Sequence, residues 1–282
     1  MKTLSRVYIV LIVLFLFAPI IVMMLFSFNS TRSTAVFSGF SLRWYRELFR
    51  DEQAAEALRN TLILAVLSSV IATVLGTLAA VGLSRLKRRF TRETIQNVTN
   101  IPMMNPDIVT AVSMLMFFVF VGGLLGIASR SFVTVLIAHI TFNLPYVILS
   151  ITPKIRQMDK HLLEAAADLG CTPIQTFFRV ELPVILPGVL SGLLMAFTLS
   201  LDDFIITQFT KGEGFYTLPT YIYSMTKKRV TPDMYALSTL IFLVILTLLI
   251  LSNVLQARME ARRDPRKIAA RNAKSNKNLK EN

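Results

Sequence analysis

Long apolar segments, separated by shorter polar ones, recur along most of the chain. Six of them reach the roughly 20 mostly apolar residues that a membrane-spanning helix needs. Ionisable side chains within them are confined to His139 in the fourth segment and to Asp202 and Asp203 near the end of the fifth. We therefore predict an all-α protein with six transmembrane helices, at residues 7–28, 61–83, 108–127, 132–151, 184–207 and 235–255.

The composition agrees with a membrane protein and argues against other classes. Hydrophobic residues make up 54% of the 282 residues and charged residues 17%, below the roughly 25% charged residues of soluble domains. Such an apolar chain is not disordered over its bulk. A single cysteine excludes a disulfide scaffold and a zinc site built from cysteines. The net charge of +13 then indicates basic loops rather than a nucleic-acid partner.

The distribution of Lys and Arg predicts the orientation. With the N-terminus in the cytoplasm, the inner segments hold twice as many of the 30 Lys and Arg residues as the outer ones, which places both termini inside. The first apolar run is longer than the 7–15 residues of a signal-peptide core, so we expect a retained helix. The predicted organisation is an N-terminal span at 1–28, an outer loop at 29–60, a core at 61–256 and a basic cytoplasmic tail at 257–282.

The inner loop at 152–183 has the pattern of a helical hairpin. Asp159 is a plausible N-cap of its first helix, and Gly170 can end that helix in a left-handed conformation. Between them an apolar stripe falls at helical spacing, formed by Leu162, Ala165, Ala166 and Leu169. We expect the small alanines to allow another backbone to approach closely. A hairpin that docks a partner and a helix that lies on the membrane surface both fit this pattern.

The second helix of the hairpin has its own start signal. Thr172 is the expected N-cap, Pro173 occupies the first helical position, and Gln175 completes a capping box. We predict that this helix ends at Pro183, just before the fifth span.

The same loop carries a family motif. Glu164-Ala165-Ala166, then Gly170, Val180 and Leu182-Pro183 match the pattern EAA-x3-G-x9-I-x-LP, with valine in place of isoleucine. The chain thus resembles the permeases of binding-protein-dependent ABC importers over residues 61–255. This resemblance implies the type I importer fold, called MetI-like, in the bacterial inner membrane.

In that family the motif forms the coupling helix that fits a groove of the ATPase. The resemblance implies that Glu164 makes polar contacts with the ATPase, that Ala165 and Ala166 pack closely against it, and that Gly170 forms the turn. It also implies several partners: a dimer of ATP-binding subunits, a second permease chain and an extracytoplasmic binding protein. ATP would be bound by the partner, so no cofactor is expected in this chain.

Motifs for catalysis are missing from the sequence. The phosphate-loop pattern GxxxxGK[ST], the GxSxG elbow and the HExxH zinc motif do not occur. His139 and His161 are isolated, so we expect neither a catalytic residue nor a metal site. His139 lies within a predicted span, where a hydrogen bond to a neighbouring helix is the ordinary role of such a residue.

Acidic residues at membrane depth are candidates for a transport path. Asp202 and Asp203 are expected near the outer end of the fifth span, and Asp107 at the inner start of the third. Neighbouring helical residues point about 100° apart, so one of Asp202 and Asp203 is expected to face the path. Alternatively, these acids cap helix ends. Acids along a path favour a cationic substrate.

A narrower resemblance indicates which cation this is. Several short stretches are similar to the polyamine permeases of the same family, at 106–109, 200–204, 217–219, 221–225, 231–233 and 236–239. They imply uptake of spermidine or putrescine, with Trp44, Asp107, Ser200, Asp202 and Asp203 as path residues. Trp44 could instead anchor a short amphipathic helix at the membrane surface.

Three other functions remain open. A permease for an amino acid, a metal cation or iron would share the EAA loop, which does not specify the solute. An integral membrane enzyme or a membrane scaffold would not need an ATP-hydrolysing partner.

Overall fold

The computed structural model describes residues 2–31, 36–48, 50–126, 130–159, 161–227 and 232–263, and within these ranges the regular structure is helical. The helices are α1 Lys2–Phe26, α2 Arg43–Leu48, α3 Glu52–Arg85, α4 Arg89–Met104, α5 Asp107–Leu125, α6 Phe132–Gln157, α7 His161–Asp168, α8 Pro173–Thr176, α9 Leu182–Asp202, α10 Ile205–Thr210, α11 Leu218–Thr226 and α12 Pro232–Arg263. A π-helical turn, Phe177–Glu181, joins α8 to α9. Most of the predicted basic tail, residues 264–282, lies outside the described ranges.

The predicted spans reappear as long apolar helices. Five of the described helical stretches are long and apolar enough to cross a membrane, at Arg6–Phe26, Glu52–Arg85, Asp107–Leu125, Phe132–Gln157 and Pro173–Asp202. They contain the first five predicted spans or most of each. The sixth predicted span, 235–255, lies within α12, whose described apolar segment Met234–Thr247 is shorter.

Two predicted helix ends are wrong, that of the second hairpin helix at Pro183 and that of the fifth span at Thr207. Pro183 does not end the preceding helix: the helical backbone continues from Pro173 to Asp202 through the π-helical turn. In that turn the amide of Leu182 donates to the carbonyl of Phe177, five residues back. The wider turn gives the proline ring room that a regular α-helix lacks. At the other end, the helix does not extend to Thr207 but ends at Asp202, and α10 begins at Ile205.

The chain divides into two compact units. One consists of residues 1–62 and 214–247, and its apolar core includes Ala54 and Ala57 from α3 with Leu218 and Tyr221 from α11. The amide of Leu218 donates to the hydroxyl of Thr61 (2.8 Å), which caps the start of α11.

The other unit consists of residues 63–213 and 248–282, and its centre is the packing of α6 against α9. Small residues permit this close approach. A Cβ atom added at Gly188 would lie 3.0 Å from the backbone oxygen of Ser150 and 3.2 Å from the Cα atom of Ile151. The motifs of interest all lie in this second unit, apart from Trp44.

Candidate functional site

The EAA hairpin, as we call residues 159–183, has the predicted turn and the predicted capping box. The carboxylate of Asp159 accepts the amide of His161 (3.0 Å) at the start of α7. Gly170 ends the helix with φ +76°, a conformation that favours glycine. A Cβ atom at Gly170 would meet nothing within 4 Å, so the backbone conformation, not space, selects glycine here. The capping box predicted at Thr172 and Gln175 is present.

The surface of the EAA hairpin combines an acid with apolar side chains. Glu164 is exposed, and its carboxylate lies 2.9 Å from the Nδ1 atom of His161. Of the predicted apolar stripe, Ala166 is buried, whereas Leu169 is 84% exposed. Further along the hairpin, Ile174 and Phe178 are also exposed. The hairpin therefore combines an exposed acid with uncovered apolar side chains, which is typical of a surface that contacts a protein partner or a membrane.

The sequence analysis missed an ion pair that fixes the base of the EAA hairpin. Glu181, the last residue of the π-helical turn, pairs with Arg85, the last residue of α3 (2.7 Å). The side chain of Glu181 is 2% exposed and that of Arg85 is 50% exposed. A buried carboxylate requires such a partner. The sequence signal that could have indicated this pair is a single Glu next to the Leu-Pro of the motif, at the start of an apolar span.

A hydrogen-bonded network around His139 joins residues of four helices in the second unit. The Nδ1 atom of His139 in α6 lies 2.7 Å from the hydroxyl of Ser200 in α9. Its Nε2 atom lies 2.9 Å from the hydroxyl of Thr207 in α10 and 3.3 Å from the carboxylate of Asp203. The hydroxyl of Ser200 also bonds to that of Ser68 in α3 (2.9 Å). The expected hydrogen bonding of His139 to neighbouring helices is confirmed.

The two adjacent acids have different surroundings. Asp203 is mostly buried, and its carboxylate accepts the amides of Ile206 (3.2 Å) and Thr207 (2.8 Å), so that it caps the start of α10. This capping explains why the fifth span stops at Asp202 and a new helix begins. Asp202 is exposed. The structure thus leaves Asp202 accessible, while it ties Asp203 and Ser200 into the network around His139.

A mostly apolar cavity lies between α5 and α6, and Asp107 is not part of its lining. The cavity has a volume of about 340 Å³. Apolar residues, among them Phe117 and Phe118, form most of its lining, and the polar residues are Asn105, Thr110, Ser113 and Thr141. Asp107 is exposed, and Thr110 follows it by three residues on the same face of α5. The oxygen atoms that line this cavity can accept hydrogen bonds from a cation.

Trp44 lies in the first unit and is 2% exposed. Its indole nitrogen donates to the backbone oxygen of Asn29 (2.6 Å), and the guanidinium of Arg43 lies over its ring, 5.3 Å from the centroid. In this arrangement Trp44 joins α2 to the segment that follows α1. Among the residues that the structure describes, no cluster of His, Cys, Asp and Glu could hold a metal ion.

These features define a class of protein. Residues 72–265 match the family model described as the inner membrane component of binding-protein-dependent transport systems. The chain belongs to this family. It is therefore a multi-pass protein of the inner membrane, in agreement with its apolar helices.

The relatives of the chain show to which members of this family it is clearly similar. The chain is 39% identical over 250 residues to the putrescine transport system permease protein PotI of Escherichia coli K12, covering 88% of this chain and 89% of the relative. It is 38% identical to the spermidine/putrescine transport system permease protein PotC of Haemophilus influenzae, covering 86% of this chain and 91% of the relative. The E. coli K12 PotC is 36% identical over 86% of this chain.

Solved structures of importers share the fold. A chain from the crystal structure of a bacterial ABC transporter that imports alginate aligns with a TM-score of 0.74 at 20% identity, covering 91% of this chain and 94% of that chain. A chain of the MetNI methionine transporter in an inward-facing conformation aligns with a TM-score of 0.58 at 18% identity, covering 72% and 94%. The chain has the MetI-like fold of type I ABC importer permeases, as predicted.

The network around His139 generates a stability prediction. Replacing His139 by Phe keeps most of the volume but leaves Ser200, Thr207 and Asp203 without a shared partner. We expect the full chain in detergent to lose roughly 1–3 kcal/mol of stability, seen as a lower apparent Tm. His161→Phe is the matched control, because the side chain of His161 is 84% exposed. Equal Tm values for both variants would contradict the structural importance of the network.

Proposed function

We propose that this chain is the permease subunit of an ATP-driven importer that moves polyamines, such as putrescine and spermidine, into the cell. The observation that carries this proposal is the 39% identity to a putrescine permease over 88% of the chain. The alignment covers 250 residues and therefore extends well beyond the EAA hairpin. Both termini lie in the cytoplasm in this proposal, in agreement with the distribution of Lys and Arg.

In the proposed mechanism, the EAA hairpin is the coupling element. Glu164 contacts the cytoplasmic ATPase, Ala165 and Ala166 allow close packing, and Gly170 fixes the turn. The exposed apolar side chains of Leu169, Ile174 and Phe178 support this role, because apolar surface outside the membrane is stable when a partner covers it. Two ATPase subunits would close on ATP and move two permease chains, each through its hairpin.

The proposed substrate path uses acids that a cation can reach. Asp202 and Asp107 are exposed, and the few polar residues of the cavity between α5 and α6 offer neutral acceptors for ammonium groups. Weak, repeated contacts of this kind allow a cation to enter and also to leave. Ser200 and Asp203 contribute to the path by fixing the end of α9. Trp44 contributes by fixing the outer segment near α2. An extracytoplasmic binding protein would deliver the polyamine.

Uptake of labelled putrescine and spermidine tests this proposal. The chain would be expressed with its neighbouring transporter genes in cells that lack their own polyamine import. We expect ATP-dependent uptake that unlabelled polyamines block, whereas an amino acid and a divalent metal do not. Assembly of the complex without polyamine uptake would rule out polyamines and leave an importer of another solute.

The two neighbouring acids can be separated by mutation. Asp202→Asn should reduce the initial rate of polyamine uptake by at least about tenfold, because a contact with a charged group is lost, while the Tm stays unchanged. Asp203→Asn should lower the Tm as well, because its carboxylate caps α10. Glu213→Gln, at an exposed acid beyond α10, is the control and should keep uptake. Full uptake by Asp202→Asn would exclude Asp202 from the path.

Charge reversal at the EAA hairpin tests coupling. Glu164→Arg should reduce co-purification of the ATPase by about tenfold or more, because a like charge or an unpaired charge disfavours the interface. Membrane insertion should be unaffected, since Glu164 is exposed. Glu93→Arg, at an exposed acid of α4 outside the hairpin, serves as the control. Unchanged co-purification of the ATPase with Glu164→Arg would argue against the coupling role.

A further inference from the structure

A second cavity, which the transport path does not use, lies where α3, α4 and α6 meet the EAA hairpin. Its volume is about 390 Å³. Three arginines contribute to its lining, Arg85 at the end of α3, Arg92 on α4 and Arg156 near the end of α6. Glu181 is the acidic residue in this lining.

The charges of this cavity do not balance. Glu181 is paired with Arg85. Within the described part of the chain, no ion pair is formed by Arg92 or Arg156. Glu93, next to Arg92 in the sequence, pairs with Arg89 at 2.7 Å. Asp159, three residues after Arg156, accepts the amide of His161. With Glu181 paired to Arg85, the lining keeps a surplus of positive charge from Arg92 and Arg156, and guanidinium groups bind phosphate with well-defined geometry.

Part of the remaining lining of the cavity is apolar. Leu83 and Ile155, each within one turn of the end of its helix, line it together with Leu163 of α7. A site that combines apolar side chains with arginines, two of them near the ends of apolar helices, has the character of the boundary between lipid tails and headgroups.

The helix α4 has the pattern of an interfacial helix. Phe90, Val98, Ile101 and Met104 are exposed and share one face of α4. Arg92 lies on the opposite face, which lines the cavity. An exposed apolar face on a short helix next to the ends of membrane spans is typical of a helix that lies at the membrane surface.

We propose that this cavity binds a phosphate group through Arg92 and Arg156, and that the phosphate belongs to an anionic phospholipid headgroup. The Arg85–Glu181 pair forms the adjoining wall and places the bound headgroup next to the base of the EAA hairpin. The occupant would thus brace the segment that joins the hairpin to α9. This site is independent of the transported solute.

Lipid retention by the purified full chain tests the proposal. Native mass spectrometry in neutral detergent would compare phosphatidylglycerol with phosphatidylcholine of the same acyl chains. We expect preferential retention of phosphatidylglycerol. Arg92→Gln with Arg156→Gln should weaken its binding by about 30-fold, the loss of two Arg contacts with an anionic headgroup.

The control variant also removes two positive charges, at positions that do not line the cavity. Lys87→Gln with Arg88→Gln changes two exposed cations between α3 and α4 that do not line the cavity, and should leave phosphatidylglycerol binding unchanged. Equal losses in both double variants would overturn the proposal. If the Gln variant aggregates, Arg92→Lys with Arg156→Lys keeps the charge but not the planar fork and should still weaken binding measurably.

A second experiment distinguishes a lipid headgroup from a soluble phosphate as the occupant of the cavity. Millimolar inorganic phosphate should neither displace phosphatidylglycerol nor raise the Tm of the chain, if the headgroup is the occupant. Displacement of the lipid, together with a higher Tm that the Gln variant does not show, would assign the site to a soluble phosphate and overturn the lipid assignment. Equal retention of phosphatidylglycerol and phosphatidylcholine would overturn the anion site altogether.

Discussion

Polar groups within apolar helices are stabilised by partners inside the protein, because lipid offers none, and the ring of His139 has such partners. Both ring nitrogens of His139 are engaged, one with Ser200 and the other with Thr207 and the carboxylate of Asp203. Three helices, α6, α9 and α10, are thereby held in one arrangement. Gly188 and Gly192 of α9 allow close packing against α6 in the same arrangement. A larger residue at either position would lie too close to atoms of α6.

This arrangement has a mechanical consequence for the proposed coupling. The helical backbone is continuous from Pro173 in the EAA hairpin to Asp202, a length of about 45 Å at 1.5 Å per residue. The π-helical turn keeps it continuous past Pro183, and the Arg85–Glu181 pair fixes its base. A force applied to the hairpin would therefore act directly at Asp202. The break that follows Asp202 is made by the capping carboxylate of Asp203, so the acids stand where a stiff element ends.

Local features of the structure could be predicted from the sequence, and features that depend on distant residues could not. The turn at Gly170 and the capping box at Thr172 need only a few neighbouring residues, and both were predicted correctly. The Arg85–Glu181 pair joins residues 96 positions apart, and only the fold brings them together. Likewise, the indole nitrogen of the buried Trp44 donates to the backbone oxygen of Asn29, 15 positions away in the sequence. Pro183 misled the prediction because a π-helical turn, which has no clear sequence signal, removed the clash that normally ends a helix.

The most direct test of the proposed function is transport by purified components. The complete complex, with its ATPase and binding protein, would be placed in sealed vesicles, and accumulation of labelled putrescine would be followed with and without ATP. We predict accumulation that requires ATP, the binding protein and the intact permease. ATP hydrolysis by an assembled complex without accumulation of any polyamine would contradict the proposal that this chain forms a polyamine path.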